Sequence, residues 1–415
     1  MPDSNLTCSF CGKSRNNVDK LIAGPNVYIC NECVTLSYEI VVGDLDMSKQ
    51  EGEPADLPSP TEIKKHLDEW IISHDRTKQL LAVSAYNHYK RINYRNPDLE
   101  LEKSNILLIG PTGTGKTLFA KTLAKKLDVP FAIADATTLT EAGYVGEDVE
   151  SVLERLLVTA DFDVEKAQRG IIYIDEIDKK ARKGESNTST KDVSGEGVQQ
   201  ALLRLIEGTT SKVKVNSSKK YSEEYVEFDT SQVLFIVGGA FVGIENLVEN
   251  RLRKRSGIGF GAKVIGDNER AELHQQITVD DVVEFGIIPE LMGRLPLLGI
   301  LDTLTESDMY HVMTRVKNSV LEQCTELLAM DDIELVFSDQ YVHDAAKLSL
   351  QKKLGARAIK SIVESSTISI MYRAKELRES GVVKVVFDKY PDSQYSPTLI
   401  SEDGSEQLDT EYFLF

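Results

Sequence analysis

From Thr61 onward the apolar positions follow two different spacings. Ile63, Leu67, Trp70 and Ile71 recur at helical intervals, and a second helical run extends from Leu80 to Tyr94. Between longer helical stretches lie uninterrupted apolar runs at Ile106 to Ile109 and at about 131 to 134, 171 to 174 and 233 to 237. Runs this short, bounded by polar and turn residues, predict buried strands. Strands alternating with helices predict a parallel sheet covered on both faces, with ligands at the carboxyl ends of the strands. From about Leu304 to Ser380 the pattern is mostly amphipathic helix, and Val382 to Phe387 then reads as a strand. The expected boundaries are 61–302 for a large α/β domain and 303–390 for a smaller one.

The flanks differ in kind. Residues 44–60 hold three prolines, Gly52 and five acids, too few apolar groups for a core, and predict a flexible linker. Residues 391–415 carry six acids without lysine or arginine and predict a disordered tail. Residues 1–43 contain Cys8, Cys11, Cys30 and Cys33, two Cys-x-x-Cys pairs separated by 18 residues. Two such hairpins can close a tetrahedron of thiolates around Zn²⁺, and a module this small has too little core to fold without metal or disulfides. A reducing compartment favours the metal. The apolar residues around the cysteines and the near absence of net charge suggest a protein-binding finger, with part of that set serving as its own core. The fifth cysteine, Cys324, falls in an apolar-periodic helix and reads as a buried small residue.

Composition narrows the function. Among 415 residues, 66 acids outweigh 48 lysines and arginines for a formal charge of −18. Duplex nucleic acid is a poor main ligand for such a chain, because phosphate contacts need a basic surface. No stretch approaches the 18 apolar residues of a membrane span, and Met1-Pro2-Asp3-Ser4 has neither the basic nor the apolar region of a secretion signal. A cytoplasmic protein is the expectation.

The chemistry is concentrated in two motifs. Gly110-Pro111-Thr112-Gly113-Thr114-Gly115-Lys116-Thr117 follows one predicted strand and precedes the helix-like run beginning Leu118-Phe119-Ala120. In that setting glycine backbone N–H groups converge on a polyphosphate, Lys116 reaches the terminal phosphates and the Thr117 hydroxyl can ligate Mg²⁺. A second strand, Ile171 to Ile174, runs into Asp175-Glu176. Asp175 can hold Mg²⁺ through its water shell, and Glu176 can orient and deprotonate the attacking water. The pair points to nucleoside triphosphate hydrolysis.

With these pieces in place the chain resembles the ClpX family of AAA+ protein unfoldases. Asn87-His88-Tyr89-Lys90-Arg91, Gly143-Tyr144-Val145-Gly146, Asp192 to Gln200, Gly293-Arg294-Leu295-Pro296 and Gly355-Ala356-Arg357 all look like that family. The resemblance implies a P-loop AAA+ module of parallel sheet, flanking helices and a small α/β domain behind a four-cysteine zinc-binding domain. It also implies an ATP-driven homohexamer that threads protein substrates into the peptidase ClpP, with adaptors binding the zinc domain.

By the same resemblance Tyr144 and Val145 line the axial pore, and Asp192 to Gly197 form a second pore loop. An aromatic between glycines can grip an extended chain of any sequence. Arg294 becomes an arginine finger acting across the subunit boundary, and Arg357 a sensor arginine from the small domain. Ile258, Gly259 and Phe260 become the peptidase-docking loop; the glycines around them keep the triplet out of regular structure. Ile71, Ile72 and Leu118 complete the nucleotide site. Two departures stand out. Ser73-His74 replaces the family's glycine and glutamine, and Lys219-Lys220-Tyr221 is the nearest run to its Arg-Lys-His triplet. No polar sensor is evident at the end of the strand at 233 to 237, where Gly238-Gly239-Ala240 follows. A remodeller that works without a protease is the alternative function, with the 258 to 260 loop idle.

Overall fold

A computed structural model describes residues 6–25, 27–37, 57–94, 98–99, 101–140, 147–182, 195–215, 224–256, 272–352, 354–390 and 396–413. The chain forms two compact units, Met1–Leu57 and Pro58–Phe415. In the first, an antiparallel hairpin pairs Leu21–Gly24 with Val27–Cys30, and an isolated bridge joins Thr7 to Ser14. The turn between Thr7 and Ser14 carries Cys8 and Cys11, and the second strand ends at Cys30, three residues before Cys33.

The second unit opens with the helix Pro60–Trp70, which starts inside the segment assigned to the linker. Pro60 suits a first helical turn because the missing N–H has no partner there anyway. Ser59 and Glu62 close a reciprocal capping box in front of it. The next helix, Asp75–Ile92, starts five residues earlier than its periodicity suggests.

Five parallel strands form the central sheet, in spatial order Leu297–Ile300, Ile106–Ile109, Leu234–Gly239, Ile171–Asp175, Phe131–Asp135. Alternate side chains enter two separate cores. Leu107, Ile109, Ile172, Ile174, Phe235 and Val237 pack against Val152, Leu156 and Leu202. Ile106, Leu108, Ile171, Tyr173, Leu234 and Ile236 pack against Ile63, Leu67, Leu81 and Phe119. Burial on both faces explains why these strands read as continuous apolar runs. An antiparallel pair, Thr210–Val215 with Glu224–Asp229, sits outside this sheet.

The segment Asn87 to Arg91 has a structural use. His88 Nε2 lies 2.9 Å from the Gln232 carbonyl, Arg91 donates to Ser231 O at 2.8 Å, and Tyr89 donates to Arg169 O at 2.9 Å. These carbonyls belong to the turns that launch the strands Leu234–Gly239 and Ile171–Asp175. One helix thus fixes where both strands begin, and with it where they end.

The smaller part packs the helices Glu306–Thr314, Val320–Ala329, Asp339–Gln351, Arg357–Tyr372 and Ala374–Glu379 around a core of its own that includes buried Cys324. Its four-stranded sheet runs Glu334–Phe337, Val382–Phe387, Thr398–Ser401, Glu406–Leu408. The last two strands correct the expectation of a disordered tail at 391–415. Leu399 enters the core, Tyr412 donates to Ser366 O at 2.9 Å, and the Arg373 guanidinium forms a buried ion pair with Asp409. The acidic tail finds its cation on a helix end outside it, so its own composition was misleading. Residues 391–395 and 414–415 lie outside the described set.

Among the described residues, three links join the smaller part to the larger. Ser73 Oγ donates to the Asp308 carboxylate, Lys317 reaches Glu69 through both its N–H and its ammonium, each at 2.8 Å, and Ala356 N–H donates to Gly113 O at 3.1 Å. Among the described residues no helix is long and apolar enough to cross a membrane.

Candidate nucleotide site and zinc cluster

A cleft of about 440 Å³ opens at the carboxyl ends of the sheet, lined by Thr112, Gly113, Gly115, Lys116, Thr117, Leu118, Asp175, Glu176, Asp178, Ala356 and Arg357, among others. Residues 110 to 117 bridge the strand Ile106–Ile109 and the helix Lys116–Leu127, whose N-terminus faces this space. Exposed N–H groups and the helix dipole there suit an anion. Gly113 and Gly115 hold φ of +81° and +95°, a region that favours glycine.

Lys116 is buried, and its ammonium donates to the carbonyls of Gly110 at 2.6 Å and Pro111 at 2.9 Å. Burial lowers its pKa, and the nearby Asp175 and Asp178 work against the fall. The Thr117 hydroxyl donates to Asp175 Oδ2 at 3.1 Å, so the two groups assigned to Mg²⁺ already meet. The other carboxylate oxygen accepts from Tyr173 OH at 3.1 Å and from the Glu176 N–H at 2.9 Å. Burial, and then the Asp175 charge, push the Tyr173 phenol up, which keeps it a proton donor. Gly238 makes this possible, since a Cβ at that position would collide with the Tyr173 hydroxyl.

Glu176 stands exposed at the cleft with a positive φ of 57°, a strained conformation that turns its side chain off the strand end. This suits a base that must meet solvent-derived water. Asp178, three residues on from Asp175, was not found by motif reading. It is buried in a short 3₁₀ turn and accepts from the Ala240 N–H at 3.1 Å. A carboxylate from the turn after the neighbouring strand therefore stands beside Gly238-Gly239-Ala240. Only the fold brings it there.

Other assigned residues fall elsewhere. Ile71 is packed into the core that contains Leu67 and Phe119, and neither it nor Ile72 lines the cleft, where Leu118, Ala240, Val242 and Ala356 are the apolar walls. Ser73 and His74, at φ of 59° and 60°, redirect the chain immediately after them. Arg294, half-exposed at the end of the helix Pro289–Arg294, pairs with Glu207 at 3.0 Å and does not line the cleft of its own chain. Tyr144, Val145, Lys191 to Ser194, Lys219 to Tyr221, and Ile258, Gly259 and Phe260 lie outside the described residues.

In the N-terminal unit the sulfurs of Cys8, Cys11, Cys30 and Cys33 all lie within 4.8 Å of one another. Backbone N–H groups of Cys30 and Cys33 point at Cys8 Sγ and Cys30 Sγ, at 3.3 and 3.4 Å. Burial pushes the Cys8 thiol up, yet N–H donors from Cys11, Cys30 and Phe10 outweigh it and bring it down to about 6. Cys33, hydrogen-bonded to Cys11 and desolvated, is pushed up to about 12. Four crowded sulfurs cannot all ionise without a cation, and a tetrahedral Zn²⁺ fits this donor set.

Residues 6–43 match the family model of the ClpX C4-type zinc finger. Residues 101–298 match that of the AAA domain, Cdc48 subfamily. The second match spans the P-loop, both strand-end carboxylates and four whole strands of the central sheet, and ends inside the fifth, Leu297–Ile300. An AAA domain is an ATPase module, so nucleotide and zinc are the groups this architecture uses.

Proposed function

Taking the chain as ClpX-like, which is what a ClpX-type zinc finger joined to an AAA domain describes, we propose that it is an ATP-driven protein unfoldase and translocase. The observation that carries the reading is one cleft shared by Lys116, Thr117, Asp175, Glu176 and Arg357. The P-loop N–H groups and Lys116 bind the phosphates, and Thr117 and Asp175 are the residues that would hold Mg²⁺. Glu176 takes the proton of the attacking water, and Arg357 brings positive charge from the smaller part. A divalent ion here supplies charge neutralisation on the phosphate oxygens.

Arg294 lies outside its own cleft and half-exposed, a placement that suits an arginine finger serving the neighbouring subunit of a hexamer. Tyr144 and Val145 grip substrate in the axial pore, and Ile258, Gly259 and Phe260 dock a ClpP-type peptidase. The exposed apolar residues Phe10, Ile22, Val27 and Leu36 give the zinc module a surface for protein substrates or adaptors. The chain works in the cytoplasm.

The test is a comparison of Lys116→Ala with Glu176→Gln. Lys116→Ala should lose ATP binding. Glu176→Gln should bind ATP normally, lose hydrolysis by a factor of about 10² or more, and retain protein substrates through affinity purification. Normal turnover in Glu176→Gln would remove it as the base. Capture of nucleic acid, with no protein retained, would point to a different motor.

A further inference from the structure

The turn Leu354 to Arg357 touches the P-loop more closely than side chains could allow. Gly113 and Gly355 meet back to back: a Cβ on Gly113 would collide with the Leu354 carbonyl, and one on Gly355 would lie 2.9 Å from Gly113 C and O and from Thr112 O. Gly355 also holds a φ of +60°, so its backbone conformation and its neighbours both favour glycine. At this contact Ala356 N–H donates to Gly113 O at 3.1 Å, and the helix Arg357–Tyr372 begins at the next residue. Arg357, first residue of that helix, lines the cleft.

We propose that this turn is a positioning element: by gripping the P-loop backbone at Gly113, it sets where the Arg357 guanidinium stands relative to the bound phosphates. The physical case is one of leverage. A guanidinium sits at the end of a long side chain with many rotamers, and its reach into a site is decided by where its Cα is held. The other two links, Ser73 with Asp308 and Glu69 with Lys317, hold helix ends outside the cleft lining. Among the described residues, the Gly113 link is the one made by the phosphate-binding loop itself. It ties Arg357 to that loop through the adjacent residue, so movement of the smaller part away from the loop must withdraw the arginine.

The proposal rests on the ATPase reading above, and its test separates the two. Ala356 has φ −60° and ψ −18°, a conformation proline adopts. Ala356→Pro therefore suits the local backbone, deletes the N–H and directs a ring carbon at Gly113 O, which must move away. In the full-length chain it should lower kcat about five- to tenfold, the scale of a lost hydrogen bond, with KM for ATP changed less than about twofold. In an Arg357→Ala background it should cost nothing further, because the arginine it positions is gone.

Gly355→Ala should reproduce the loss. Gly381→Ala should not: Gly381 also has a positive φ, of 91°, but open space beside it, so it carries the strain without the contact. Normal kcat in Ala356→Pro, or a loss that multiplies independently of Arg357→Ala, overturns the proposal while leaving the ATPase reading intact. An unmodified chain that binds no ATP overturns both. Should Ala356→Pro fail to fold, amide exchange in the unmodified protein decides the question. Protection of the Ala356 N–H supports the contact, and exchange at the rate of an unbonded amide rejects it.

Discussion

At the scale of single residues, the candidate site is an arrangement of donors around two carboxylates. Asp175 is held by three donors, from Thr117, Tyr173 and Glu176, and Glu176 is left free to face the cleft. This difference in environment supports the proposed division between a metal-organising acid and a base. The zinc cluster follows the same logic with sulfur. Its prediction is one Zn²⁺ per chain by elemental analysis under reducing conditions, and loss of that metal with the fold of the N-terminal unit in Cys30→Ser. A zinc-free preparation that retains the hairpin would contradict it. The P-loop, the paired carboxylates and the four cysteines were legible because each motif carries its chemistry at short, fixed spacings in the sequence. Asp178, the Tyr173 hydroxyl and the partner of Gly238 were not. Their roles depend on strands and turns distant in sequence meeting at one end of a sheet.

At the scale of elements, apolar runs such as Ile106–Ile109 announced the central strands because both faces are buried. The helices announced themselves by period. What failed was the C-terminal segment, whose Leu399 and Tyr412 supply anchors too few to outweigh six acids in a composition argument. The strand Glu334–Phe337 was also hidden between two helices. The Asp75–Ile92 helix offers a pH test. Burial pushes His88 down to about 3 from an ordinary 6.5. The unfolded chain therefore binds the extra proton between those values, so this stabilisation is full above pH 6.5 and is lost as pH falls toward 3. The parent should lose about 1.4 kcal/mol per pH unit within that window from this group alone. His88→Gln keeps a donor for the Gln232 carbonyl and removes the titration, so its urea midpoint should fall less steeply on acidification. Fluorescence of Trp70, the chain's single tryptophan, reports it. Parallel pH profiles would show that His88 is not the group responsible.

At the scale of the whole molecule, a zinc finger, an ATPase cleft and a smaller helical part combine into a machine only if hydrolysis is coupled to work on another protein. The sequence carried the inventory of parts well, since each has its own motif. Assembly was less legible. The contact between Gly113 and Ala356 and the tether between Ser73 and Asp308 join residues more than 200 positions apart. The catalytic role proposed for Arg294 requires another subunit, since it does not line the cleft of its own chain. The unfoldase claim is tested most directly by amide hydrogen exchange on a protein captured by the Glu176→Gln chain, released, and presented to the unmodified chain. With ATP, the substrate's core amides should exchange as a globally unfolded chain does, and with ADP they should keep native protection. Native protection maintained while ATP is being hydrolysed would contradict the account.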